Sequence, residues 1–490
     1  MGELEGIYNY IDGHLDKHIA RIQEWIRQPS ISNTGEGIPE CAELTKRYFE
    51  ELGCKARVVD VGVTKWGTEG HPVVYGEYDA GAEKTLIIYM LYDTMPAYEP
   101  EKWRAPPFEG RIVEQSPFKR VIIGRGAINS KGPEMAILNA LESIKAVAGE
   151  LPVNLKLVAE GDEERMSIGL HKFVHDHQDE LKEADAMYSH ATLGQKANGT
   201  AWTDVHSEGC LYIELETRGE WWGRGPTEFN IHGAFKRTVD NPVWRHIKML
   251  SSLVSEDGNK VVVKGWYDDV EEPTGRDLEL LDVAIKYADP KAIKEGLKIK
   301  YFIGEPPTLT KREFLMRSLY STTLNIDGIW SGLTEPGFAG SVVPCKITSK
   351  HDCRYIPNQK SEDLIKKLRA HLNERGYEDI RIRVIGDVDW LKPNYETDIA
   401  RALFKMYERF GVEYVKLPAT GIIGLGPYWP VYLFGKDPLQ LPVALGGIGH
   451  GGRFHAIDEF FVIEGAGKVY GLAGAEKGAA TVLYNYAGKT

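Results

Sequence analysis

The chain has 490 residues, 42% of them apolar and 27% charged, an ordinary soluble composition too long for one simple core, so two domains are expected. A formal net charge of −12 argues against nucleic acid and against anionic membranes as partners. No window approaches the roughly 18 apolar residues that a membrane span needs.

From the amino terminus, residues 3 to 27 and 39 to 53 read as two helices, with Ile7, Ile11, Leu15, Ile19, Ile22 and Ile26 at helical spacing and Gly53 as a stop. No basic stretch followed by an apolar run precedes them, so no secretory signal is expected. Val58-Val59, Val73 to Tyr75 and Leu86 to Tyr92 are short apolar runs bounded by Gly, Pro and Asp, and read as strands. A strand ending at Ile123, a glycine-rich turn, a helix from near Gly132 to about Val147 and a strand from Val153 to Ala159 then make a strand–helix–strand crossover. A helix near Ile168 to His175 and a strand Ala186 to Ser189 follow. This alternation predicts an α/β fold, a mostly parallel sheet covered by helices.

The texture changes near Gly209. Cys210 to Thr217 alternates like a strand with one exposed face, Val239 to Val254 reads as a helix, and residues 255 to 340 are richer in turns and charge. Strand Lys346 to Tyr355, helix Glu362 to Asn373 and strand Ile380 to Ile385 complete a smaller α+β insertion. After Trp390 come a helix at 397 to 410, strands at 413 to 416 and 431 to 434, and a long final helix from about Asp458. The expected domains are therefore 1–208 with 389–490, discontinuous, and an inserted domain at 209–388. The five cysteines (Cys41, Cys54, Cys210, Cys345, Cys353) are scattered and form no C-x-x-C, which fits a reducing cytoplasm and excludes a cysteine zinc knuckle.

The crossover carries the chemistry. Its strand ends hold Asn129 and Lys131 on one side and Glu160, Asp162, Glu163 and Glu164 on the other, where the ligand crevice of an open α/β sheet lies. As an isolated string, E-G-D-E-E suits a solvated loop. Between an apolar strand and the next helix it is instead a knot of acids that repel one another unless a cation or proton compensates.

Seven blocks follow one another along the chain: Leu91-Tyr92-Asp93, Trp103 to Phe108, Gly124 to Gly132, Glu160 to Ser167, His232, Arg354 to Gln359, and His455-Ala456-Ile457-Asp458-Glu459. Their order resembles the zinc metallopeptidase family of carnosine dipeptidases, aminoacylases, succinyl-diaminopimelate desuccinylase and glutamate carboxypeptidases, with Leu91-Tyr92-Asp93 in the place of that family's G-H-x-D. The resemblance implies a catalytic domain with an inserted lid and dimerisation domain, and a homodimer. It implies Glu163 as general base, His232 as a lid histidine that stabilises an oxyanion, and Arg354 as a substrate contact. Asp93 matches the residue that orients a metal-binding histidine and is expected at the catalytic centre, with turn cap, substrate contact and metal contact all open as its task.

The family's two-metal ligand set does not survive intact. The bridging Asp is Asn129, the His of H-x-D is Leu91, and the carboxylate after the next strand is His190. Two divalent cations a few ångströms apart need an anionic bridge. The expectation is one divalent metal per chain (zinc, manganese or iron) on Glu164, His190 and His455, with Asn129 or water completing the shell or Asn129 touching substrate. The family's substrate-carboxylate loop corresponds to Ala419 to Tyr432, which keeps glycines but adds Tyr428 and Trp429; with Trp221, Trp222 and Phe229, these suggest an aromatic or cyclic substrate. The function expected is metal-dependent hydrolysis of a small C–N, amide-type bond. An ordinary di-zinc dipeptidase or aminoacylase, a hydrolytic aromatic-amine deaminase and a non-catalytic ligand-binding relative stay open beside it.

Overall fold

A computed structural model describes residues 2–129, 131–190, 194–204, 207–305, 309–337, 339–417 and 430–489. Two compact units emerge, one from Met1–His206, Lys392–Thr420 and Pro430–Thr490, the other around Ser207–Leu391.

The first unit is built on a six-stranded sheet in the order Lys55–Val59, Val73–Tyr78, Asn154–Glu160, Thr85–Leu91, Ala186–Ser189, Val443–Leu445. The last three pairings are parallel and the first two antiparallel. Thr85–Leu91 is apolar nearly throughout and buried from Leu86 onward, as a strand covered on both faces must be. Lys131–Ala148, buried through most of its length, packs with Glu3–Gly13, Leu15–Arg27 and Leu472–Tyr486. A second, antiparallel sheet runs Gly451–Gly452, Phe460–Glu464, Phe118–Ile123, Arg111–Gln115. It brings the chain before Phe460 beside the chain after Ile123, since Phe460 pairs with Ile123.

Several expected elements differ. Residues 3 to 27 form two helices, Glu3–Gly13 and Leu15–Arg27, because the chain turns at His14 directly after a glycine. The expected strand at 431 to 434 is a short helix, Tyr432–Gly435, with Val431 as its N-cap. The final helix begins at Leu472, not near Asp458. Phe460–Glu464 is a strand, and Gly465, Gly467 and Gly471 separate it from the helix.

The second unit is an antiparallel sheet ordered Gly328–Trp330, Lys346–Tyr355, Gly209–Arg218, Arg381–Val388. Gly209–Arg218 alternates buried and half-buried residues along most of its length, and its inward side chains Leu211, Ile213 and Leu215 pack with Met249, Leu364 and Leu368 of two helices. Those helices are Pro242–Ser251, shorter than the expected 239 to 254 because Asn241 caps it, and Ser361–Glu374. The turn-rich stretch also holds helices Gly275–Tyr287 and Lys311–Tyr320, each opened by a capping box.

Candidate active site

Three segments of the first unit meet. The first is the glycine turn after Phe118–Ile123. Glu459 accepts the backbone N–H groups of Ile128 (3.0 Å) and Asn129 (2.9 Å) on one carboxylate oxygen, and Arg125 holds the other at 2.6 Å. Both members of this ion pair are buried. Gly132 is required here, because a Cβ would come within 2.1 Å of the Ala127 carbonyl. Lys131 does not enter the site: its ammonium donates to the Trp25 and Gln28 carbonyls at the end of the Leu15–Arg27 helix.

The second segment is the acidic knot, where the acids divide their labour. Glu160 accepts from Tyr89 (2.6 Å) and Ser167 (3.1 Å), and Asp162 from the His71 and Gly169 backbones (2.6 and 3.1 Å). These two are scaffold. Asp93, fully buried at the end of the neighbouring strand, accepts the backbone N–H of Glu163 on one oxygen (3.2 Å) and of Glu164 on the other (3.0 Å). Asp93 is thus a positioning residue for the turn; the expectation of a catalytic Asp93 gives way to a structural one. With its histidine replaced by buried Leu91, the carboxylate serves amides instead.

The third segment carries His455. Arg453, His455 and Asp458 all adopt left-handed backbone (φ 61°, 57° and 58°), a costly conformation for such side chains that must be held from outside. Arg104 holds it, donating its backbone N–H and its Nε to the two oxygens of Asp458, both at 2.9 Å.

These segments bring Asn129, Glu164 and His455 into mutual contact. The Asn129 amide nitrogen lies 2.8 Å from Glu164 Oε1 and 2.8 Å from His455 Nε2, and Glu164 Oε1 lies 3.0 Å from His455 Nε2. Glu163 stands beside them. Burial, then Glu164 and Asp93, push its carboxyl well above the usual range, and His455 draws it down. Burial, then the charge of Glu459, raises Glu164; burial, then Glu164, raises Asp93 to about 7. Acids crowded this way hold protons or a cation.

His190 is not part of the triangle. Among the described residues its ring packs against Gly447, where a Cβ would overlap it at 1.8 Å, and burial lowers it to about 4. No group of three His, Cys, Asp or Glu among the described residues is close enough to hold an ion, so the expected set of Glu164, His190 and His455 is not assembled. Among the described residues, apolar Leu91 offers no donor beside the triangle and His190 does not join it. The Asn129, Glu164 and His455 side-chain atoms converge, and their chemistry fits a divalent cation.

The remaining expected residues fall elsewhere. In the second unit, His232 is exposed and accepts from the Ala234 N–H. Arg354 is held by Glu208 (3.0 Å) and Asp352 (2.9 Å), so two carboxylates already engage the charge expected to meet substrate. Trp221 lies under Arg381 at 3.7 Å and Trp222 near Arg245 at 4.8 Å, while Phe229 is exposed. Tyr428 and Trp429 lie outside the described residues. The supports missed in the sequence are Arg125, Glu459, Arg104 and Asp458; the signal for Arg125–Glu459 was an arginine inside the glycine turn and an acid four residues past His455.

Residues 87–470 match the family described as Peptidase family M20/M25/M40. The Cys-Gly metallodipeptidase dug1 of Schizosaccharomyces pombe is 27% identical over 385 residues, 76% of this chain and 76% of that protein. The Beta-Ala-His dipeptidase of Homo sapiens is 25% identical over 393 residues, 76% of this chain and 71% of that one. The crystal structure of an M20 family metallo-carboxypeptidase from Sulfolobus solfataricus is similar at a TM-score of 0.80 and 29% identity, over 96% of this chain and 99% of that one.

Proposed function

Because the chain belongs to Peptidase family M20/M25/M40 and is a metal-dependent hydrolase of carbon–nitrogen bonds, we propose that it cleaves the amide bond of a small, dipeptide-sized substrate with a single divalent cation on Glu164 and His455. The observation that carries this is the clamped turn, in which Asp93 fixes Glu163 and Glu164 together while Glu164 touches His455 at 3.0 Å. When bound, a divalent cation there supplies Lewis-acid polarisation of a carbonyl and makes water more acidic. Glu163 takes a proton from the attacking water as the new C–O bond forms. It returns the proton to the amine nitrogen as the C–N bond breaks.

The catalytic role is assigned to the first unit. The second is assigned as lid and dimerisation unit, with His232 offered to the partner's site. Ile329 and Trp330 on its edge strand, and Trp244 and Phe235 elsewhere in the unit, are exposed apolar groups that support pairing with a second copy. Five free cysteines support a reducing, cytoplasmic setting. No helix among the described residues is long and apolar enough to cross a membrane. The preference for an aromatic or cyclic group rests on residues 428 and 429, since Trp221 and Trp222 already stack under arginines.

The test is a substrate panel of Cys-Gly, beta-Ala-His and N-acyl aromatic amines, run on wild type and Glu163→Gln. Wild type is expected to hydrolyse at least one. Glu163→Gln is expected to lose turnover by at least 100-fold, the usual scale for a general base, while still binding cation. Retained turnover in the variant removes Glu163 from the role.

A further inference from the structure

We infer that Asn129 is the third protein donor of a mononuclear cation site, and that its amide turns over when the cation binds. This rests on the hydrolase reading above and adds to it the ligand that the expected histidine does not supply.

The Asn129, Glu164 and His455 triangle has edges of 2.8, 2.8 and 3.0 Å. Three side chains from three separate segments thus meet at one point.

As placed, the Asn129 NH2 donates to Glu164 and His455 together, so the two side chains are held side by side by hydrogen bonds before any ion arrives. An N–H cannot ligate a cation. Rotation of the amide by about half a turn puts its oxygen where the nitrogen was, at almost no steric change, since the two ends are nearly the same size. The backbone does not move in this exchange, because Glu459 holds the Ile128 and Asn129 N–H groups. An aspartate in the same place has no N–H to offer and adds a negative charge beside Glu164.

One carboxylate, one neutral imidazole and one neutral amide oxygen make a donor set of charge −1. Two oxygen donors beside one imidazole suit a hard, water-retaining ion such as Mn²⁺.

The test is isothermal titration of metal-free, full-length protein with MnCl2 and with ZnCl2, for wild type, Asn129→Ala, Asn129→Asp and His190→Ala, with thermal melts of each metal-free protein. Wild type is expected to take one Mn²⁺ per chain. Asn129→Ala is expected to weaken it at least tenfold and His190→Ala to leave it within twofold. Asn129→Asp is expected to bind Mn²⁺ at least as tightly as wild type while melting lower when metal-free, which separates ligand loss from misfolding. Equal affinity in wild type and Asn129→Ala, or loss of the ion in His190→Ala, overturns the inference and leaves the hydrolase reading standing. A wild type that takes no cation overturns both.

Discussion

Asp93 engages both carboxylate oxygens with the amides of Glu163 and Glu164, and this bond pair sets where the proposed base and ligand point. Removing it leaves two buried donors unmatched, each costing about 1–3 kcal/mol. Asp93→Ala is therefore expected to lower the stability measured by urea unfolding by a few kcal/mol. Asp93→Asn, which keeps one carbonyl acceptor, is expected to lose roughly half as much. Equal stability of wild type and Asp93→Ala contradicts the clamp. The neighbouring pair behaves by the same logic: Glu459→Gln strands buried Arg125 and is expected to cost about 3–5 kcal/mol, as one-sided loss of a buried ion pair does. At this scale the sequence was partly readable. Leu91 and Asn129 led to the expectation of a single ion by chemistry alone, because leucine has no donor and asparagine no charge. The task of Asp93 was hidden because its partners are backbone N–H groups, which no side-chain pattern reports. His190 was misplaced because its nearness to Glu164 is a three-dimensional distance, not a spacing.

At the scale of elements, the second unit contains a buried relay that ties a helix to two strands. Thr217, His246, Ser349 and His351 are joined at 2.8, 2.8 and 2.7 Å, and His351 donates to the Asn325 carbonyl at 2.9 Å. If His351 Nδ1 carries its proton toward that carbonyl, every partner is satisfied with both imidazoles neutral. Burial, then His351, lowers His246 to about 4; burial likewise lowers His351 to about 4. Below the ordinary value of 6.5, the unfolded chain takes up protons that the folded chain refuses. Stability is thus full above pH 6.5 and is lost as pH falls through about 4, by about 3 kcal/mol for each imidazole. The urea midpoint is expected to fall between pH 7 and 4.5, and His246→Asn to flatten that fall; an unchanged slope contradicts the relay. Element recognition followed burial. Leu86 to Tyr92 and Val153 to Ala159 read as strands because sheets covered on both sides need continuous apolar runs. F-F-V-I-E at 460 to 464 is also continuous, and without a period it was joined to the small-residue helix beyond the glycines. The helices at 275 and 311 were announced by T-G-R-D and T-K-R-E capping boxes and were lost in a charged, turn-rich background.

At the scale of the whole molecule, exposed Trp244 (57%), Trp330 (41%) and Ile329 (48%) on the second unit favour a partner of the same kind. A dimeric mass is expected in light scattering at micromolar concentration, and Trp330→Glu is expected to shift it to monomer; a monomeric wild type contradicts the pairing. The most direct measurement concerns the site itself: an anomalous difference map from crystals of the full chain grown with excess MnCl2. One peak is expected, inside the triangle of Asn129, Glu164 and His455. Two peaks side by side, or a peak at His190, contradict the single-cation centre on which the proposed chemistry stands.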